Sequence, residues 1–328
     1  MNRSFRLVWS AVLGLWVVAS EAAKGKSKST SKVAGGAKSP LLNLARVTLL
    51  AGMGAVALPA QAETTFNWLG GDGNWDDATK WDNGVPTDVP DDEFYVDIRS
   101  GIVTLNKGVK DERWEVGIFA HDVSDSAVLR VSGAGTFLGS SVGLYVGYWN
   151  GNGALLISDG AKVSSGTARI GAVQGTSVVS VSGAGSSFTP SMILLANEAG
   201  GTAELSVTDG ATASVDTIIS IGQALGSKGV VTVSGVGSTL AAQSIYIGNA
   251  GAGVLNIGSA EGEAATAAGK VSGAITLGVG GSGTLVLNHT DTNYVLASDI
   301  TTKATSGHAN ISLVNGTTRR SFCRNMTA

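Results

Sequence analysis

Residues 176–211 read TSVVSVSGAGSSFTPSMILLANEAGGTAELSVTDGA, and within them one structural unit closes and begins again. Val179 and Val181 alternate with serines and run into Gly183, and Leu205 and Val207 do the same ahead of Asp209 and Gly210. Apolar residues two apart over a short run mark a strand with one buried face. Glycine, or Asp-Gly, directly after such a run supplies a tight turn.

The pattern spreads in both directions. The apolar residue before the turn recurs at Val131, Ile157, Val181, Val207, Val233 and Ile257, with spacings of 26, 24, 26, 26 and 24 residues. A second anchor, a short apolar run ending in glycine, recurs at Gly147, Gly171, Gly222, Gly248 and Gly278, and Ala196 takes the glycine's place in the remaining unit. Two independent anchors thus share one period over residues 127–287. A unit of this length cannot bury both sides of its own strands, so units must stack. No helix-length apolar period of 3.6 residues follows residue 62. The expectation is an all-β parallel β-helix with one coil of about 25 residues per unit, the coils stacked about 4.8 Å apart. The alternative is an antiparallel sandwich or a propeller. A blade takes about 40–50 residues, and VSGAG does recur 50 residues apart at Val131 and Val181.

Composition agrees with a β solenoid and excludes other classes. Glycine contributes 47 of 328 residues and proline 5, about twice the usual glycine share. The glycines do not fall at every third position, which excludes collagen. With 43% hydrophobic residues the chain is not of the disordered class. A single cysteine, Cys323, cannot form an internal disulfide.

The N-terminal 62 residues are different. Arg3 and Arg6 precede an apolar run from Leu7 to Ala19, five lysines follow, and a second basic-then-apolar unit runs from Arg46 to Ala60-Gln61-Ala62. The small-x-small ending at Ala60 and Ala62 is a signal-peptidase site, with cleavage expected after Ala62. Neither apolar run reaches the length of about 20 residues that a membrane span needs. Without residues 1–62 the chain carries 14 basic and 24 acidic residues, a net charge near −10. An acidic surface argues against a nucleic-acid partner.

Residues 63–126 hold Trp68, Trp75 and Trp81, expected to close the open end of the solenoid as a cap. The surrounding Asp72, Asp76, Asp77, Asp82, Asp88, Asp91 and Asp92 lack the EF-hand spacing and read as turn formers, so no metal is expected.

Two stretches carry a family resemblance. MNRSFRLVWSAVLGLWVVASEAAKGKSKS, through Asn2, Phe5, Arg6, Leu7, Val8, Trp9, Trp16, Val17, Ser20, Glu21, Lys24 and Gly25, resembles the extended signal peptide region of type V secreted proteins, the autotransporters and two-partner-secreted adhesins. That resemblance implies recognition by the inner-membrane export machinery and slowed export. FNWLGGDGNWDDATKWDNGVPTDVPDD, from Phe66, resembles the first passenger segment of autotransporters with a pectin-lyase-like β-helix, with Lys80 where asparagine is usual. The VSGAGS and ISDGA units resemble autotransporter-associated repeats, and GSGTLVLNHTDTNYVLASDI, from Gly281, resembles a late passenger segment. The resemblance implies a right-handed solenoid, with residues 288–318 as later passenger coil; the anchors give about six coils over the repeat region, and the basic, non-repetitive residues 319–328, with Cys323, read as an atypical tail of truncated or frame-shifted character. No run of barrel strands follows Asn288, so the part that would anchor an autotransporter is not recognised.

No catalytic pattern stands out. The histidines are His121, His289 and His308; no G-x-S-x-G elbow, H-E-x-x-H or phosphate-binding glycine loop is found. Asp159 with Lys162 and Arg169 comes nearest to the acidic-basic cluster of a β-helix lyase. The expectation is an exported structural or adhesive passenger stalk, not an enzyme and without a cofactor. Its partners would be the export machinery and a host-surface or matrix ligand, and its location the cell surface or medium, or else the periplasm. The alternative is a secreted β-helix polysaccharide lyase or hydrolase.

Overall fold

The computed structural model describes residues 5–10, 15–20, 64–86, 94–107, 109–111, 114–118, 120, 126–148, 150–303 and 307–320. The chain divides into two units, Met1–Pro59 and Ala60–Ala328. In the first, Phe5–Ser10 pairs antiparallel with Leu15–Ser20, Trp9 opposite Trp16. The signal-peptidase residues Ala60 and Ala62, His121 and the tail from residue 321 lie outside the described residues.

The second unit is a parallel β-solenoid of about nine turns with a repeat near 26 residues, of the general pectin-lyase-like class. Two sheets alternate along the chain. The first runs through Thr64–Asn67, Phe94–Ile98, Trp114–Ile118, Phe137–Val146, Lys162–Ile170, Ser187–Leu195, the broken pair Thr212–Ser214 and Ile218–Ile221, Thr239–Ile247, Lys270–Leu277 and Ile300–Thr302. The second runs from Gly73–Asn74 and Gly101–Leu105 through Ser126–Ser132, Asn152–Ser158, Thr176–Ser182, Thr202–Thr208, Lys228–Val233, Ala252–Gly258 and Ser282–Asn288 to His308–Asn315. Neighbouring strands within each sheet are parallel and come from successive coils. This excludes the propeller and the antiparallel sandwich, whose strands pair with their chain neighbours. The solenoid has about nine turns because it extends beyond the repeat region: both sheets continue through the tryptophan-rich segment, whose strands pair in register with the repeats.

The core is built of vertical stacks, and two of them follow the anchors of the repeat. In the second sheet Leu105, Val131, Ile157, Val181, Val207, Val233, Ile257 and Leu287 are register partners coil by coil. None is more than 2% exposed. In the first sheet Ile118, Val146, Ile170, Leu195, Ile221, Ile247 and Leu277 form the matching stack. Each buried aliphatic side chain contributes about 1.5–3 kcal/mol relative to exposure. A solenoid gathers that contribution once per coil from each stack, which explains why the sequence repeats.

Directly after the second stack the chain turns through left-handed backbone. Gly147, Gly171, Gly222, Gly248 and Gly278 have φ of 71°, 143°, 70°, 76° and 63°, and Ala196 takes the same place at 56°. At Gly248 a Cβ would stand 2.4 Å from the carbonyl carbon of Ser282 one coil on, so backbone contact as well as φ demands glycine there.

The corner after the first stack alternates. Long corners of the S-G-A-G-S type at 132–136, 182–186 and 234–238 alternate with short Asp-Gly corners at 158–161 and 208–211. In the short corners Asp159 and Asp209 are left-handed at φ 56° and 55°, tolerable for an aspartate. The amides of Gly160 and Gly210 donate to Ser186 Oγ and Ser238 Oγ of the following long corners, both at 3.0 Å. In return Gly133 and Gly183 donate to the carbonyls of Ser158 and Thr208. The recurrence of VSGAG at 50 residues is this alternation.

The two ends differ. At the N-terminal end Trp68, Trp75 and Trp81 are at most 4% exposed and meet edge to face, Trp81 lying 5.0 Å from Trp68 and 5.1 Å from Trp75. Each indole N–H is satisfied, by the carbonyls of Gly71, Pro86 and Trp75 respectively. Lys80 lies over the Trp68 ring at 5.8 Å and donates to the Gly70 carbonyl. At the other end the strand His308–Asn315 is largely exposed, Leu313 at 69%.

Candidate functional site

Outward-facing residues of the first sheet form columns along the coils. Asn67, Asp97, Gly117, Tyr145 and Arg169 stand in one column, Thr65, Tyr95, Glu115, Gly143 and Thr167 in the next. Gly117 and Gly143 fall on successive coils; the gap at Gly117 stays open, and the place beside Gly143 is taken by Glu115 and Tyr145. The result is a groove of about 370 Å³ over Gly117, at the lower end of the usual size for a ligand pocket. Tyr95 and Thr65 line one side, and Tyr145 and Tyr148 the other, with Asp97, Arg99 and Glu115 between them.

The groove is held in shape by its own contacts. Tyr145 and Tyr148 meet edge to face at 5.5 Å. The Arg169 guanidinium lies 5.3 Å from the Tyr145 ring centre and donates to its hydroxyl at 3.3 Å. Burial, and then the hydrogen bond to Glu115, raise the Tyr145 phenol above its ordinary pKa, so it stays protonated and donates to that carboxylate. A Cβ at Gly143 would stand 3.1 Å from both Glu115 Oε1 and the Tyr145 ring, so glycine is what lets this pair close. Asp97 is 6% exposed and holds the Arg99 guanidinium at 2.6 Å. Both signs of charge therefore face the groove.

The candidates marked in the sequence fall elsewhere. Val131, Ile157, Val181, Val207, Val233 and Ile257 are core, and the marked glycines are corners, so neither set faces a ligand. Asp159 occupies a corner where Ser158 Oγ donates to it, and Lys162 begins the bent strand whose far end carries Arg169. That trio does not converge. His289 is fully buried, with Nε2 2.9 Å from Thr318 Oγ1 and its ring 5.0 Å from Tyr294, while His308 is exposed on the last strand of the second sheet.

The described aspartates of the tryptophan-rich segment act in turns. Asp72 accepts from the Ile102 amide, Asp77 from Thr79, Asp82 from Asn67, and Asp76 pairs with Lys107. Among the described residues no group of three or more His, Cys, Asp or Glu is placed to hold a metal ion. Asp88, Asp91 and Asp92 lie outside the described residues.

The groove was not marked in the sequence. The available signal was faint: three of the chain's five tyrosines, Tyr95, Tyr145 and Tyr148, gather in it. Tyr95 comes from a coil without the repeat's anchors, and Tyr145 and Tyr148 flank the anchor Gly147.

Comparison with known proteins bears on the N-terminus. Residues 1–50 match the family of extended signal peptides of type V secretion systems. A signal of this kind points to the inner-membrane export machinery and to export across that membrane. Neither the curated proteins nor the solved structures contain a match to the chain.

Proposed function

We propose that this chain is an autotransporter-type passenger: an exported, non-catalytic β-solenoid stalk that presents an adhesive surface at the cell exterior. The observation that carries the reading is the combination of an extended type V secretion signal at residues 1–50 with a parallel solenoid in the second unit. A solenoid with continuous hydrophobic stacks behind each sheet is rigid along its axis and leaves its outward columns free to vary. A right-handed winding belongs to this proposal, since parallel strands joined by a crossover are almost always connected that way. Surface display would depend on an outer-membrane anchor acting with the stalk; without one the product would rest in the periplasm.

Support for a stalk over a lyase or hydrolase comes from the one acidic-basic cluster suggested by the sequence. Asp159, Lys162 and Arg169 are distributed between a corner and the two ends of a bent strand. Two measurements test the proposal. Residues 1–62 fused to a reporter active only after export should give activity, and a silent fusion overturns the export reading. The exported chain, incubated with a panel of polysaccharides, should release neither new reducing ends nor unsaturated sugars; release of either overturns the non-catalytic reading in favour of a β-helix lyase or hydrolase.

A further inference from the structure

We infer that the groove over Gly117 is a binding site for an uncharged pyranose sugar, free or at the end of a glycan; this deepens the adhesive reading above and rests on it. Three observations converge. First, Gly117 leaves one outward column without a side chain, so the floor of the groove there is bare backbone on which a flat ring can lie, while Gly143 in the next column lets the Tyr145–Glu115 pair close beside it. Second, the walls are tyrosine rings set before any ligand arrives. Tyr145 is fixed by Tyr148 at 5.5 Å and by Arg169, and Tyr95 lines the side opposite. Aromatic rings offer apolar faces to the C–H surfaces of a sugar and keep a polar tip for its hydroxyls. Rigid walls also reduce the ordering cost of binding.

Third, the charges select against an ion. A cation in the groove would meet Arg99, with Arg169 behind Tyr145; an anion would meet Asp97 and Glu115. Carboxylates accept and guanidinium groups donate hydrogen bonds, and a sugar hydroxyl does both. A neutral polyhydroxyl ring is therefore the ligand that can use both kinds of group without an uncompensated charge. The volume of about 370 Å³ admits a small ligand of ring size.

The test uses the exported full chain, a panel of neutral methyl pyranosides, and acidic sugars and a quaternary ammonium salt as charged comparisons. Gly117→Val fills the floor with a residue suited to a strand. Tyr246→Ala removes an outward tyrosine of the same sheet outside the groove, and circular dichroism checks that both variants stay folded. The expected result is binding of at least one neutral pyranoside, at least tenfold weaker in Gly117→Val and unchanged in Tyr246→Ala. Binding confined to a charged comparison, no binding of any neutral pyranoside, or neutral binding that survives Gly117→Val in a folded protein overturns the assignment. The adhesive reading is scored separately, by adherence of the exported chain to cells or matrix. Adherence that Gly117→Val leaves intact removes the groove and keeps the stalk; absence of adherence by the unaltered chain removes the adhesive reading even where a pyranoside binds.

Discussion

Ser186 Oγ accepts a hydrogen bond from the amide of Gly160, 26 residues earlier, at 3.0 Å. Ser238 and Gly210 repeat the bond two coils further on. Replacing Ser186 or Ser238 by alanine leaves a part-buried amide without its partner. Each change is expected to cost about 1–2 kcal/mol, read as a lower denaturant midpoint. Ser158→Ala, which removes an exposed contact with Asp159, should stay within about 0.5 kcal/mol.

Corner glycines should divide by what their missing side chain would meet. Gly248 combines φ 76° with a Cβ position 2.4 Å from backbone, whereas Gly262 has φ 87° and open space around it. Gly262→Ala should cost about 1–2 kcal/mol from backbone conformation alone. Gly248→Ala should cost more than about 4 kcal/mol, since strain and overpacking add. Thermal unfolding of the two variants side by side checks the order; equal losses would contradict it.

Truncating the stack should be costly in its middle. Ile157 is 1% exposed and lies between Val131 and Val181. Ile157→Ala is expected to lose about 2–5 kcal/mol. Leu313→Ala, at 69% exposure on the last strand of the second sheet, should change stability by less than about 0.5 kcal/mol.

Acid should act on the tryptophan-rich end. Hydrogen bonds from Thr79 hold Asp77 below the ordinary carboxylate pKa, and the Lys107 bond does the same for Asp76. At Asp82 burial pushes the other way and the bonds from Asn67 outweigh it. A carboxylate depressed on folding contributes stability that is complete above its unfolded pKa of about 3.9 and is lost as pH falls through the folded value. Tryptophan fluorescence should therefore be flat from neutral pH to about 4 and shift only below it.

Alkali should act at the opposite end. Burial pushes the Tyr294 phenol up to about 12, and its hydroxyl donates to the Gly269 carbonyl at 3.0 Å. A group whose pKa is raised on folding contributes stability below its unfolded pKa of about 10, lost as pH rises through the folded value. Ultraviolet titration should show Tyr294 ionising well after the exposed tyrosines, and Tyr294→Phe should remove one tyrosine from the late part of the curve.

The period was legible because every coil repeats the same inward position: Val131 and Val233 do one job in different coils and look alike in the sequence. Left-handed corners were legible for the related reason that glycine alone adopts them freely, and Ala196 shows how far the rule bends. The sheets' passage through residues 64–118 was not legible. Those first coils carry neither anchor, and their strands are short, Gly73–Asn74 having only two residues. The groove escaped for a different physical reason. It is made by absence, at Gly117, and by outward residues whose neighbours are register partners about 25 positions away. Only pairing brings Glu115 beside Tyr145, and Tyr145 beside Arg169.

The alternating corners have a consequence for how such a chain can lengthen. A long corner and a short corner are complementary, each supplying the group that the other lacks, so the translational unit is a pair of coils, 50 or 52 residues. Duplication of one pair preserves each serine–glycine contact across the new junctions. Duplication of a single coil sets two Asp-Gly corners, or two serine corners, one upon the other, and at least one amide loses its acceptor. Growth of this solenoid by gene duplication is thus favoured in even steps, and residues 132–238 carry that parity as a visible alternation of GAG or GVG with DG.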